Sequence, residues 1–254
     1  MTMTQDDIEY YNRCKVENPR YWARFGGRPD FKDSVVADLG CGHGSLCIDI
    51  AMSGARKVIG LDLNAHLIDF AKENLRRNYP QLANVIEFRH QDVRDVTEKN
   101  FDYFVSKDTF EHVVDLPQVL EAMKTRLRDQ GKIYTGFGPL WNSPFGDHGR
   151  TKIPIPWGHV IFSQRFLIDR LNRINRFESE KISSIQDLGL SVLSLADYRC
   201  IIMESGMRTV FFGVNVSTRP ISRLFSLFRK IPFMEEFFSH NIYCILQKNH
   251  IEAV

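Results

Sequence analysis

The sequence predicts a doubly wound α/β fold, and three observations carry that prediction. Short β-branched runs alternate with helical patterns of about 10 to 15 residues from roughly residue 34 to 137, the signature of a parallel sheet with right-handed crossovers. Acids recur at the strand ends, as Asp38, Asp62 and Asp92. Three alternating glycines, Gly40, Gly42 and Gly44, follow the first strand directly. In open parallel sheets ligands bind beyond the carboxyl ends of the strands, so one crevice should collect these acids.

The elements follow in order. Residues 5–25 read as helical and aromatic, with Pro19 expected to break them in two. Asp30 to Asp33 is a polar connector. The first strand is expected over Ser34–Leu39 and its helix over Ser45–Ser53; the second strand runs over Lys57–Leu61 and ends in Asp62. Asn64 is a natural N-cap for a helix from about Ala65 to Asn78. Val85–His90 and Phe101–Ser106 read as the third and fourth strands. A helix over Leu116–Leu127 should stop near Gln130-Gly131, and Lys132–Gly136 is the fifth strand. Residues 137–160 hold four prolines and two tryptophans and read as an irregular loop. Helical patterns return over 163–180 and 195–205. Thr209–Val216 and Asn241–Gln247 then read as strands around a helix from about Ile221 to Phe238, interrupted at Pro232.

At 254 residues the chain can bury a sizeable core, and 43% hydrophobic with 25% charged residues is ordinary for a soluble globular protein. A net charge of +2 does not require nucleic acid or an anionic membrane as partner. No window reaches the roughly 18 apolar residues of a membrane span, and the polar, acidic start is no secretory signal. Five scattered cysteines without a C-x-x-C pair suit a reducing cytoplasm, with Cys47, Cys200 and Cys244 expected to be buried. Cys41 reads as a small side chain tolerated in a tight turn. There is no internal repeat.

The glycine spacing is G-x-G-x-G, whereas a dinucleotide fingerprint needs its third glycine where Ser45 stands. With Asp38 ahead of it, Asp-x-Gly-x-Gly-x-Gly at a strand end resembles motif I of the class I S-adenosylmethionine-dependent methyltransferases. That resemblance covers about residues 34–137. It implies a Rossmann-like, mostly parallel seven-stranded sheet with helices on both faces, closed by a hairpin-like pair. It also implies a cap inserted after the fifth strand, at about 141–190. The expected organisation is an N-terminal helical cap over 1–33 and a methyltransferase domain over 34–254.

The resemblance implies S-adenosylmethionine as cofactor. Gly40, Cys41, Gly42 and Gly44 would line its methionine part with backbone groups, and Asp38 would accept from its ammonium. Asp62 would accept from the ribose diol, a task suited to an acceptor-only carboxylate. Gln91 and Asp92 would meet the adenine amino group, Leu63 and Val93 would sandwich the ring, and Ser106 would close the wall. Ser106 to Val113 resembles the segment of this family that ends in Glu-His-Val and leads to the substrate. Lys107 and Asp108 either face the substrate or pair with each other, and Glu111-His112 reads as loop support. The Asn/Asp-Pro-Pro-aromatic signature of enzymes that methylate nucleic acid is absent.

The acceptor side falls in the cap, where Asp147-His148 and His159 sit in a proline-held loop. Three roles fit: a general base at His148 or His159 oriented by Asp147, a divalent metal on Asp147, His148 and His159, or histidines bonded to loop carbonyls. Tyr11, Trp22, Trp141 and Trp157 are candidate walls of an acceptor pocket, or cap packing. Basic residues from Arg219 to Lys230 flank an apolar helical stripe that is read as core-facing rather than as a membrane-surface helix. The function expected is methylation of a small molecule, on oxygen, in the cytoplasm. N- or C-methylation, a nicotinamide oxidoreductase and a non-catalytic cofactor-binding protein are the alternatives. The aromatic N-terminus and the cap offer surfaces for a homodimer.

Overall fold

The computed structural model describes residues 3–174, 181–216 and 220–249. Seven strands form one sheet: β1 (Val35–Leu39), β2 (Lys57–Asp62), β3 (Ile86–His90), β4 (Phe101–Lys107), β5 (Leu127–Phe137), β6 (Arg208–Val214) and β7 (Ile242–Gln247). Their order is β3-β2-β1-β4-β5-β7-β6. β1 to β5 run parallel, and β7 lies antiparallel between β5 and β6. The order reverses at β1, between β2 and β4, which places the switch point at the glycine loop.

Strand alternation sorts the side chains to two cores. Val36, Val58 and Val105 point to one face, where they meet α1 (Gln5–Ala23), α2 (Ser45–Met52) and α3 (Ala65–Asn78) through residues such as Tyr21, Trp22, Ile50 and Ile68. Ala37, Ile59 and Phe104 point to the other face, under α4 (Leu116–Arg126) and α7 (Leu195–Glu204) through Leu120, Tyr198 and Ile202. Asn64 caps α3 by accepting from the N–H groups of His66 and Leu67. Asp115 caps α4, and Ser194 with Asp197 forms a capping box on α7.

Several elements differ from the sequence expectation. α1 passes through Pro19 without a break. Its last turn is held by tertiary packing, because Tyr21 and Trp22 are buried and the Tyr21 hydroxyl reaches the carbonyls of Ser106 (3.1 Å) and Tyr134 (3.2 Å). β5 begins at Leu127 rather than Lys132, since Leu127 pairs with Phe101 before a register shift. The helix expected up to Phe238 is only α8 (Pro220–Phe228), followed by turns. Its stripe is not core-facing throughout: Leu224 and Leu227 are 47% and 62% exposed, while Phe225 and Phe228 pack on Phe238. Cys200 is exposed, not buried. Residues 175–180 and Arg219, part of the expected helix and basic stripe, lie outside the described residues.

Between β5 and α7 the chain forms α5 (Gly158–Ile161), α6 (Gln164–Ile174) and a small separate core of Leu167, Ile185 and Leu190. Among the described residues, no helix is long and apolar enough to cross a membrane.

Candidate active site

A crevice of about 810 Å³ opens at the carboxyl ends of β1, β2, β3 and β4, within the size range of small-molecule sites. Its floor is the glycine loop. Gly40, Gly42 and Gly44 all have positive φ, at 70°, 50° and 80°, so the chain turns at the strand end in a conformation that disfavours other residues. At Gly42 the space a Cβ would fill is open, and the residue lines the crevice; at Gly44 a Cβ would lie 2.5 Å from the Phe88 ring. Gly42 therefore leaves room for a ligand, whereas Gly44 makes room for the core.

Asp62 ties the loop to β2. Its Oδ2 accepts from Gly42 N and its Oδ1 from Asn64 N, both at 2.8 Å. Each oxygen keeps a second lone pair for a ligand hydroxyl. Asp38 lies deeper, 1% exposed, with the Cys47 thiol donating to Oδ2 at 3.2 Å. Burial pushes its carboxyl up to about 7, the Cys47 hydrogen bond opposes this, and the charge of Asp62 adds to it. A cationic group entering the crevice would find a carboxyl ready to ionise.

The side of the crevice expected to receive adenine differs in detail from expectation. Gln91, Asp92 and Val93 line the crevice with Leu63, which is 69% exposed. Asp92 is held by Arg94, which it accepts from through Nε (3.0 Å), Nη2 (2.7 Å) and the backbone N–H (2.8 Å). This pairing holds the Asp92 carboxyl below its usual range. A ligand amino group would share Asp92 with Arg94, a partner that the sequence reading missed.

Other expected residues fall elsewhere. Ser106 is fully buried beneath the crevice, and its hydroxyl donates to Leu39 O at 3.1 Å. Tyr11 is buried against Phe70 and bonds Tyr79. Trp22 is buried with its indole N–H on Asp49 (2.7 Å), and Trp157 donates to Phe237 O at 3.2 Å. Trp141 belongs to the small cap core and holds His159. None of these lines the crevice; of the N-terminal aromatics Tyr10 does, together with Cys14 of α1. Lys107 and Asp108 both line it. Lys107 Nζ is 3.3 Å from Asn18 Oδ1, and no ion pair joins it to Asp108.

α1 closes over this opening. Asp7 accepts from His43 Nε2 at 3.0 Å and lies 3.1 Å from His66 Nε2, linking the helix to the glycine loop and to α3.

The cap histidines are the largest correction. His159 is 3% exposed, with Nε2 on Trp141 O at 2.5 Å and Nδ1 3.7 Å from Asp147. Asp147, also buried, accepts from Thr151 Oγ1 (2.5 Å) and from the Thr151 and Gly149 N–H groups. Both are absorbed in holding the cap loop and do not reach the crevice. His148 turns away from them toward His112, at a ring separation of 5.0 Å. Burial, His112 and Arg150 depress it to about 4, below the range of an efficient base at neutral pH.

The residues read as loop support are the ones at the crevice instead. His112 and Arg150 line it, and Glu111 is buried beside them with one oxygen unpartnered. Burial raises Glu111 to about 8, with the charge of Asp108 adding to it. The signal that could have found them was the Glu-His pair following a strand end.

This geometry agrees with the comparisons. Residues 30–136 match the family described as methyltransferase domain. The match covers 107 of the 254 residues. The methyltransferase domain is 33% identical over 91 residues to ribosomal protein L11 methyltransferase of Alkaliphilus oremlandii (36% of this chain, 28% of that protein). It is likewise 33% identical over 99 residues to magnesium-protoporphyrin O-methyltransferase of Rhodobacter capsulatus (38% and 42%). The matches thus span less than half the length of these curated relatives. Magnesium protoporphyrin IX methyltransferase from Synechocystis PCC 6803, solved with bound S-adenosylhomocysteine, shares the fold at a TM-score of 0.52 and 18% identity over 98% of this chain and 88% of that one. The domain is therefore a class I methyltransferase fold, as the motif predicted.

Proposed function

We propose that the protein is an S-adenosylmethionine-dependent methyltransferase that acts on an oxygen of a small molecule. The observation that carries this reading is the crevice itself, which gathers Asp38, Gly42, Asp62 and Gln91 at three successive strand ends. The glycine loop receives the methionine part, Asp38 its ammonium, Asp62 the ribose diol, and Leu63, Gln91 and Val93 the adenine. Methyl transfer is an in-line displacement: an acceptor lone pair attacks the methyl carbon, the C–S bond breaks with its electron pair on sulfur, and the acceptor loses a proton. Positioning supplies much of the rate in such a step. The proton leaves at the edge formed by Glu111, His112 and His148, because His159 and Asp147 are sealed in the cap.

A small acceptor is supported by α1, whose Tyr10 and Cys14 wall one side of the crevice. The oxygen-methylating relative supports the acceptor atom. The protein-methylating relative stands as the competing case, in which a peptide would need α1 displaced. Five free cysteines support a reducing compartment such as the cytoplasm.

Calorimetric titration with S-adenosylmethionine and S-adenosylhomocysteine tests the reading. Micromolar binding by the protein and its loss in Asp62→Ala are expected. Binding of a nicotinamide cofactor in place of either ligand would overturn it.

A further inference from the structure

The structure assigns a divalent-cation site to Glu111, His112 and His148 at the acceptor edge of the crevice. Their ligand atoms lie within 4.8 Å of one another. Three independent features prepare them. The His112 Nδ1 lies 2.8 Å from Gly189 O, which fixes the proton there and leaves Nε2 with a lone pair. His148 Nε2 is buried with no hydrogen-bond partner. Glu111 is 4% exposed; Oε1 accepts from Gly138 N at 3.2 Å and Oε2 has no partner. A ring whose far nitrogen is bonded to a carbonyl is the usual second-shell arrangement of a metal-binding histidine.

Leaving a buried carboxylate oxygen and a buried imidazole nitrogen unsatisfied is costly, and a cation satisfies both together. The neighbouring cation does not do so. Arg150 directs Nη1 to the carbonyls of Leu188 and Gly189, and forms no ion pair with Glu111. Bonds of about 2.1 Å to a first-row ion set ligand atoms roughly 3 to 4 Å apart, so groups now up to 4.8 Å apart close by roughly 1 to 2 Å on binding. Two imidazoles and one carboxylate suit Zn²⁺, Fe²⁺, Co²⁺ or Mn²⁺ rather than Mg²⁺ or Ca²⁺, and leave coordination positions open.

His112 lines the crevice, so those open positions face the acceptor. An acceptor hydroxyl bound there would release its proton to solvent and attack the methyl carbon as the metal-bound oxyanion, with the C–S electron pair going to sulfur. This use of the site rests on the methyltransferase reading; the binding of the cation does not.

Protein stripped with a chelator and titrated with Co²⁺ tests the assignment. One equivalent bound at micromolar concentration, with visible d–d bands, is expected. Glu111→Gln and His148→Gln should each weaken it at least tenfold. S-adenosylhomocysteine binding and circular dichroism, measured on the same samples, report cofactor site and fold separately. If all three proteins bind Co²⁺ equally, or none binds it while the fold is intact, the site is overturned. A protein that binds Co²⁺ as expected but not S-adenosylhomocysteine keeps the metal site and refutes the methyltransferase reading.

Discussion

Gly42 donates its backbone N–H to Asp62 Oδ2 at 2.8 Å, a side-chain bond that joins the Gly40 N and Cys41 N bonds to Leu61 O in fastening the ends of β1 and β2. The same carboxylate orients the loop and faces the ligand. Asp62→Asn should keep an acceptor oxygen but lose the charge. Cofactor affinity is expected to fall by about tenfold to a hundredfold, equivalent to about 1.4 to 2.7 kcal/mol, by calorimetry. Thermal stability should fall by about 1 kcal/mol, because the amide nitrogen faces one of the two backbone N–H donors.

Substitutions at two glycines separate ligand space from core space. Gly42→Ala places a methyl in open space, at a backbone cost of about 1 kcal/mol for its left-handed conformation. Its main effect should be weaker cofactor binding. Gly44→Ala drives a Cβ into Phe88, and should destabilise by more than about 2 kcal/mol in urea unfolding. Equal losses of stability in both variants would contradict this division.

Asp38 sets a pH dependence. Its folded-state pKa is raised to about 7, so between its unfolded value and 7 the folded protein holds a proton that the unfolded chain has released. Its contribution to stability is therefore full at acid pH and is lost as pH rises through 7. A ligand ammonium favours the ionised form, so cofactor affinity has the opposite slope. It should fall about tenfold per pH unit below 7, and Asp38→Asn should flatten the profile of calorimetric Kd against pH.

Asp7 holds α1 over the crevice through His43 and His66. Asp7→Ala should speed hydrogen exchange along the first turns of α1 and raise the dissociation rate of S-adenosylhomocysteine in stopped-flow measurements. Protection unchanged from the parent protein would show that Tyr21 and Trp22 fix the helix alone.

Tyr21 anchors the other end of α1, with its hydroxyl between the carbonyls of Ser106 and Tyr134. Tyr21→Phe removes that bond and leaves the ring in place. A loss of about 1 kcal/mol in unfolding free energy is expected.

The sequence by itself determined the sheet, the glycine loop and the order of the acids. Those features are local: a period of two, a turn that needs positive φ, and a carboxylate fixed at a strand end by its place in the chain. Tertiary structure decided which side chains face the crevice. Pro19 lies inside a helix because buried Tyr21 and Trp22 hold its last turn. His159 and Asp147 look like catalytic groups in sequence, but the fold of the cap loop turns them onto Trp141 and Thr151. Glu111 and His148 stand 37 residues apart in sequence and meet only when the cap packs against the end of β4. A chain pattern fixes what each strand presents at its end, whereas contact between distant loops depends on packing that no local period records.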